Sequence, residues 1–189
     1  GRSRIFVPHV WVVIVNQMTV SKAHQPQDEL YGPLSIPAYC WPIIDKPEFQ
    51  RMRYIQQLGT SAYVHPGATH TRFDHCLGCA HLAVQFMELR EAQQPELNIK
   101  EEWKMAVVIA ALCHDIGHGP WSHCFEQIAH QYNRDWDHEE MSMIIIKHIH
   151  RKYKVPIDES IIEAACNFIQ GIPYKDYPEW LAEIVANKR

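Results

Sequence analysis

The chain has 189 residues, of which 47% are hydrophobic and 21% charged, which is the size and composition of a single globular domain with its own core. Its net charge of -4 gives no general attraction to nucleic acid or to an anionic membrane, so a polyphosphate ligand would need a local cation or a metal. Thirteen histidines are more than a core usually needs, and they favour metal or acid–base chemistry.

Residues 1–27 are predicted to be a disordered or mis-assigned leader, and residues 28–189 to form the domain. The apolar run Ile5–Val15 faintly imitates a signal peptide, but Pro8 and His9 interrupt it. The run is also too short to cross a bilayer, so no membrane association is expected.

The domain is predicted to be almost wholly helical. Asp45 as N-cap and Pro47 in the first turn predict a helix that ends at Gly59. A polar loop, Thr60–Thr71, follows, with a strand signal only at Ala62–Val64. Further helices are predicted at 72–92, 101–117, 120–132, 137–153 with Asp137 as cap, 158–170, and from 178 onward. The predicted fold is an all-α bundle with at most a minor β-hairpin.

The helix over 101–117 is predicted to be the central, buried one, because it is apolar on every side from Met105 to Cys113. Six cysteines are expected to be reduced. Cys76 and Cys79 form a C-x-x-C pair, for which we favour core packing over a redox or zinc role because no second pair follows at zinc-ribbon spacing.

His114 and Asp115 at the end of this helix are the centre of the predicted chemistry. Alone, the pair would favour a solvated aspartate at a helix end. It is accompanied, however, by several further polar residues that a chance arrangement explains poorly: His75, His118, His123, His138 and Glu139. An aspartate that follows nine apolar residues is also costly to bury unless a cation compensates it.

Three strings of the sequence, 49–59, 63–75 and 114–123, resemble the HD-domain metal-dependent phosphohydrolases. The likeness extends over 28–189 and is greatest to the deoxynucleoside triphosphate (dNTP) triphosphohydrolases that combine a SAM and an HD domain. It implies an HD-domain helical bundle. The family's fourth metal ligand, an aspartate, has no counterpart before Arg189, so the HD domain is expected to be incomplete at its C-terminus.

The resemblance implies that His75, His114 and Asp115 bind a divalent transition metal such as Fe, Mn, Zn or Ni, with Mg possible alongside the substrate. It further implies hydrolysis of a dNTP to deoxynucleoside and inorganic triphosphate. His118 would hold the α-phosphate, His123 would protonate the departing oxygen, and His138 and Glu139 would support that proton relay. The implied substrate contacts are phosphate for Arg72, the sugar for Gln57, and the space beside the sugar for Leu58.

Relatives of this kind are activated by nucleotides between subunits, and Asp45, Gln50 and Arg53 match positions of that site. From the residues alone, Arg51 and Arg53 would instead form a solvated helix face, and the stretch 24–32 departs from the family's pattern. An activating GTP or dNTP, a homo-oligomer and a location in nucleus or cytosol are therefore implied by resemblance only.

Two alternatives remain open. The chain could be a non-catalytic, truncated HD fragment that binds metal or partner subunits. It could also be an HD phosphohydrolase acting on nucleoside monophosphates or cyclic nucleotides, although the run 119–123 and the pair Gln57–Leu58 argue against that reading.

Overall fold

The computed structural model describes residues 25–132 and 135–187. Over these ranges the regular secondary structure is helical apart from one small hairpin, in which β1 (Gln27–Asp28) pairs antiparallel with β2 (Gly32–Pro33). The helices are α1 (Trp41–Ile44), α2 (Pro47–Gln50), α3 (Arg72–Gln93), α4 (Glu101–Cys113), α5 (His123–Gln131), α6 (His138–Tyr153), α7 (Glu159–Ile169) and α8 (Trp180–Val185). The predicted all-α bundle with a minor hairpin is confirmed.

Helix α4 is the centre of the bundle, as its sequence predicts. Every residue from Trp103 to Cys113 is buried, including Lys104, whose ammonium group reaches Glu91 at 2.6 Å. Helices α3 and α7 pack against α4, and α8 contacts both α4 and α7. Because α4 has no polar face, it can be accommodated only where other helices surround it.

The predicted helix over 45–59 is wrong as a single element. Asp45 ends α1 rather than capping a new helix, and Lys46 in an extended conformation precedes Pro47 at the start of α2. A 3-10 turn follows at Arg51–Tyr54, and Ile55 is extended because its carbonyl accepts the backbone N–H of Arg72 at 2.8 Å. Tertiary pairing with the start of α3 therefore interrupts the helical periodicity.

The strand signal at Ala62–Val64 is also wrong, because a 3-10 helix spans Gly59–Tyr63. Helix α4 ends at Cys113, four residues earlier than predicted, so that His114 and Asp115 begin a loop. Helix α5 begins only at His123, because Trp121 and Ser122 have φ values of 58° and 55°, outside the right-handed helical region. The cap at Asp137 is confirmed, since its side chain accepts the N–H of Glu140 at 2.7 Å.

Of the predicted leader, residues 1–24 lie outside the described residues, and Gln27 pairs with Pro33 in the hairpin. None of the helices in the described part of the chain combines the length and apolar character needed to cross a bilayer.

Candidate active site

His75 is presented by the first turn of α3. Thr71 caps this helix by accepting the N–H of Asp74, and the Asp74 carboxylate in turn accepts the N–H of Thr71 at 3.1 Å. This reciprocal capping box fixes where the helix starts. It thereby places Arg72 and His75, three residues apart, on the side that faces the end of α4.

Three side-chain atoms from α3 and the end of α4 converge on one point. Nε2 of His75 lies 3.1 Å from Nε2 of His114 and 3.2 Å from Oδ2 of Asp115, and the last two atoms are 3.3 Å apart. Bonds of about 2.1 Å at tetrahedral or octahedral angles place neighbouring ligand atoms about 3.0 to 3.4 Å apart. The three atoms therefore have the spacing of ligands around a single metal ion.

The hydrogen bonding of His114 also fits a metal ligand. Its Nδ1 lies 2.8 Å from the carbonyl oxygen of Ala111, which can only accept, so Nδ1 carries a proton and Nε2 is the ring atom turned toward His75 and Asp115. Metal-binding histidines are commonly oriented by such a bond from the other ring nitrogen. Two imidazoles and a carboxylate suit a divalent transition metal.

Asp115 is buried, with 4% of its surface exposed, and is ionised. Burial alone would raise the pKa of its carboxyl, but the neighbouring imidazoles of His114, His118 and His75 hold that pKa well below its usual range. The guanidinium of Arg72 pairs with Oδ2 of the same carboxylate. Burial would also lower the pKa of His114, and the bond to Asp115 raises it. The ionised carboxylate therefore lies where the histidine nitrogens converge.

The loop that carries Asp115 is fastened to α6 by Ser142. The Ser142 hydroxyl donates to the His114 carbonyl at 2.8 Å and accepts the N–H of Gly117 at 2.8 Å. A side chain at position 117 would collide with the carbonyl oxygen of His138, so only glycine allows this close approach. Sequence reasoning missed Ser142, which gives no local signal of this contact.

Arg51 also holds this loop. Its guanidinium donates to the carbonyl oxygen of Ile116 and to that of His118, the latter at 2.8 Å. Its predicted place on a solvated helix face is therefore wrong. The positions of the histidines after Asp115 are fixed by these non-local bonds.

A second cluster lies on the other side of Asp115. His118 is 1% exposed, its Nε2 lies 3.4 Å from Oδ1 of Asp115, and its ring stacks on His138 with 4.2 Å between centroids. Among the described residues no group forms a hydrogen bond of normal geometry with this Nε2. Burial lowers the pKa of His118, and the charge of Arg72 adds to that effect, outweighing the attraction of Asp115. His118 is therefore held neutral.

Glu126 joins the two outer histidines of this cluster. Its carboxylate oxygens lie 3.3 Å from Nδ1 of His123 and 3.3 Å from Nδ1 of His138. Burial would raise the pKa of Glu126, but hydrogen bonds from His138 and His123 lower it. Sequence reasoning missed Glu126, although its spacing of three residues from His123 on a helix could have revealed it. Within the described ranges Glu139, half-buried, forms no hydrogen bond or ion pair with the cluster, and its role stays a prediction.

The predicted substrate residues border the two clusters. Arg72 is buried, and besides Asp115 it contacts the hydroxyl of Ser122 at 3.1 Å and the carbonyl of Gln57 at 3.2 Å. The Gln57 residue is half-buried, and Leu58 is 49% exposed. Arg72 is thus tied into the centre, and its predicted contact with phosphate stays a prediction.

The predicted nucleotide-activation residues also lie together. Asp45, Gln50 and Arg53 line a cavity of about 360 Å³ on the face of the molecule that carries the hairpin. Arg53 Nε donates to Gln50 Oε1 at 2.8 Å, and its guanidinium lies 3.6 Å above the centre of the Phe73 ring. The structure brings these residues together, and their function stays a prediction.

Of the C-x-x-C pair, Cys76 is packed in the core as predicted, fully buried and with Sγ 4.0 Å from Sδ of Met52. Cys79 is only half-buried, and its Sγ lies 3.7 Å from each ring nitrogen of His75. Burial, and then the charge of Asp115, raise the pKa of the Cys79 thiol to about 11.

Comparison with known proteins identifies the family of this chain. The sequence profile described as "HD domain" matches residues 72–186, and the chain belongs to the HD-domain family. The protein named "Deoxynucleoside triphosphate triphosphohydrolase SAMHD1" from Bos taurus is 39% identical over 187 residues, which cover 86% of this chain and 32% of the relative. The protein named "Deoxynucleoside triphosphate triphosphohydrolase SAMHD1 homolog" from Dictyostelium discoideum is 37% identical over 165 residues. This match covers 86% of this chain and 32% of the relative.

A more distant relative is the "Putative HD domain-containing protein L394" of Acanthamoeba polyphaga mimivirus, which is 33% identical over 173 residues, covering 84% of this chain and 37% of that protein. The chain spans about a third of the length of these relatives. The resemblance to HD-domain triphosphohydrolases that the motifs predicted is confirmed.

Proposed function

We propose that this chain carries the metal-centred part of a dNTP triphosphohydrolase, which cleaves a dNTP into a deoxynucleoside and inorganic triphosphate. The observation that carries the proposal is the convergence of His75, His114 and Asp115 beside a second cluster of three histidines and a carboxylate. The names of the relatives from Bos taurus and Dictyostelium discoideum support the substrate class.

The first cluster holds a divalent transition metal in this proposal, with Fe, Mn, Zn and Ni all compatible with its donors. When bound, the ion polarises a phosphoryl group and activates water for hydrolysis. Mg²⁺ would accompany the phosphates of the substrate rather than occupy this centre. The protein itself contributes a prearranged ligand set, because both His114 and Asp115 are fixed by the loop bonds to Ser142 and Arg51.

His118 is placed to bind an oxygen of the α-phosphate. It is buried beside Asp115, and its Nε2 has no hydrogen-bond partner among the described residues. Because burial keeps the ring neutral, one of its nitrogens can donate a hydrogen bond to a phosphate oxygen without a fixed charge competing with the metal. A buried polar atom of this kind gains most from a ligand that satisfies it.

His123 is placed to protonate the departing 5′ oxygen. Its side chain is 61% exposed, and its Nδ1 is occupied by Glu126, so that Nε2 is the ring atom left to meet a substrate. Glu126 also bridges to His138, which stacks on His118. The carboxylate therefore orients two imidazoles at once, and the exposed Nε2 of His123 can take up its next proton from solvent.

We further propose that Gln57 and Leu58 contact the sugar, that the full protein is a homo-oligomer activated by GTP or a dNTP, and that it acts in the nucleus or cytosol. Support for the activator comes from the cavity beside Asp45, Gln50 and Arg53. Its other walls include Asp28 and Asp74, so carboxylates outnumber the single arginine among its lining residues. Such walls suit the N–H groups of a nucleobase better than phosphates.

A product assay tests the reaction. The 189-residue chain is incubated with dGTP and Mn²⁺ or Fe²⁺, with and without GTP, and the products are separated by ion exchange. Deoxyguanosine with triphosphate is the expected result. A monophosphate or free phosphate product would assign another HD phosphohydrolase, and absence of turnover with metal bound would favour the non-catalytic fragment.

Two variants sharpen the assay. His123→Gln is expected to retain the metal and lose turnover, and full activity would remove His123 from the acid role. His148→Gln is the matched control, because His148 lies exposed on α6, 3.5 Å from Glu48 and away from both clusters, and its activity is expected to equal that of the unsubstituted chain.

A further inference from the structure

Ser122 stands immediately before His123, and its backbone conformation is unusual. Its φ and ψ are 55° and -123°, a region that favours glycine, and the preceding Trp121 also has a positive φ of 58°. Such conformations are costly and persist only where the surrounding structure holds them. Ser122 is also the N-cap residue of α5, yet within the described residues its hydroxyl does not cap that helix. Contacts elsewhere therefore override what serine normally does at the start of a helix.

The hydroxyl of Ser122 instead joins two other segments of the chain. The residue is 2% exposed, and its Oγ accepts the Nε–H of Arg72 at 3.1 Å and donates to the carbonyl oxygen of Gln56 at 2.9 Å. The guanidinium of Arg72 also pairs with the Asp115 carboxylate. A short series of hydrogen bonds therefore runs from the proposed metal centre to the residue that precedes His123.

The loop that ends at Ser122 also lies against the segment that carries Gln57 and Leu58. A Cβ at Gly59 would lie 2.9 Å from the carbonyl oxygen of Trp121, so only glycine allows the two segments to approach this closely. The carbonyl of Gln57 accepts from the same arginine that holds the Ser122 hydroxyl. The loop is thus fixed against the proposed sugar contacts as well as against the metal centre.

We propose that Ser122 is a positioning residue whose hydroxyl sets the location of His123 relative to the metal centre and the sugar contacts. The inference rests on the proposed function, in which His123 protonates the departing 5′ oxygen. The hydrogen-bond partner of His123, Glu126, lies on the same helix, so that bond orients the ring. The Ser122 hydroxyl ties the backbone before His123 to α3. Without this hydroxyl the acid can move, and a small displacement of a reacting group lowers the rate strongly.

A comparison of two leaving groups tests this role. The 5′ oxygen that departs from dGTP needs a proton, whereas p-nitrophenolate departs from bis(p-nitrophenyl) phosphate as a stable anion without one. Ser122→Ala removes the hydroxyl, and Ser122→Gly removes it while also accepting the backbone conformation. Ser160→Ala, at an exposed position on α7, is the matched control.

The kcat for dGTP with Mn²⁺ is expected to fall about 10- to 100-fold in both Ser122 variants, with a much smaller change in KM, and to be unchanged in the control. The kcat for the p-nitrophenyl ester is expected to fall far less. An equal loss for the two substrates would assign Ser122 a structural role only. A glycine variant with full dGTP turnover would assign the effect to the backbone rather than to the hydroxyl. Either result would overturn the proposal.

A second measurement does not depend on turnover. The rings of His118 and His123 lie edge to face with 4.8 Å between centroids, so nuclear Overhauser effects between their protons report the position of His123. In the metal-free chain these effects are expected in the unsubstituted protein and in Ser160→Ala, and are expected to be lost in the Ser122 variants at unchanged helix content. The glycine variant serves if alanine disturbs the fold.

Nuclear Overhauser effects that persist in the Ser122 variants, or that are missing from the unsubstituted chain, would overturn the positioning role. Absence of dGTP turnover in the unsubstituted chain, combined with loss of these effects in the variants, would refute the proposed reaction. It would leave standing the inference that the Ser122 hydroxyl positions His123.

Discussion

Replacing Ser142 by alanine tests how the loop that carries His114 and Asp115, the proposed metal ligands, is held. The hydroxyl is fully buried and forms two hydrogen bonds of 2.8 Å, one from the N–H of Gly117 and one to the carbonyl of His114. Alanine occupies nearly the same space, so the variant removes both bonds while leaving little cavity. The backbone groups of the loop are then left without their partner.

The expected cost follows from these two groups. A buried donor or acceptor left without a partner costs about 1 to 3 kcal/mol. We expect Ser142→Ala to lower the free energy of unfolding by about 2 to 4 kcal/mol. This is less than the sum of two full penalties, because relaxation of the loop can partly satisfy one of the two groups. The metal affinity of the proposed site should also fall, by about tenfold or more, because the carbonyl that is released belongs to His114, one of its proposed ligands.

Urea unfolding of the metal-free chain, with its slope compared between variants, measures the first effect. Ser160→Ala is the control, since Ser160 lies exposed on α7 and its replacement should change the free energy of unfolding by less than about 0.5 kcal/mol. A loss below about 1 kcal/mol in Ser142→Ala would refute the claim that these two bonds hold the loop.

Three further predictions concern the same region. His114→Ala should abolish metal binding with little change in helix content by circular dichroism, and undiminished metal by elemental analysis would refute its role as ligand. Gly117→Ala should lower the free energy of unfolding by about 1 to 3 kcal/mol, because the new Cβ meets the backbone of α6, and a variant of unchanged stability in urea would show that the loop can move away. The histidine partners of Glu126 lower the pKa of its carboxyl in the folded chain. The ionised carboxylate therefore stabilises the fold at pH values above the ordinary glutamate pKa near 4.3, and this stabilisation is lost as the pH falls through the lowered pKa of the folded chain. The melting temperatures of the unsubstituted chain and of Glu126→Gln should therefore differ above about pH 5 and approach each other below about pH 4, and a difference independent of pH would contradict the interaction.

The burial of the central helix, and the place of His114 and Asp115 at its end, could be predicted from the sequence because their signals are local. The apolar run Met105–Cys113 has no face that tolerates water, so its burial follows from composition alone. The adjacent His114 and Asp115 then stand where an apolar helix meets a polar loop. The partnership of this pair with His75, 39 residues earlier, came from the family resemblance. The structure places the two imidazole nitrogens 3.1 Å apart, and their sharing of a metal stays a prediction.

The errors arose where distant segments decide the local conformation. Phe49, Met52 and Ile55 follow a helical period, yet Ile55 is extended because its carbonyl bonds to the start of α3. Arg51 resembles a solvated arginine in the sequence, but it reaches carbonyl oxygens more than sixty residues away. Period and propensity describe neighbours along the chain, and contacts of this kind lie beyond their reach.

The arrangement of Asp115 explains why the two histidine clusters belong to one site. Its Oδ2 faces His75 and His114, and its Oδ1 lies 3.4 Å from His118. The two oxygens belong to one rigid, planar carboxylate. The groups that hold Oδ2 therefore also restrict the position of Oδ1, which is the atom beside His118. The ring of His118 in turn stacks on His138, which shares Glu126 with His123. In the proposed site, metal binding at Oδ2 and the position of the proton donor would therefore be linked through one buried carboxylate, and a phosphate held between the clusters would meet both of them in a fixed geometry.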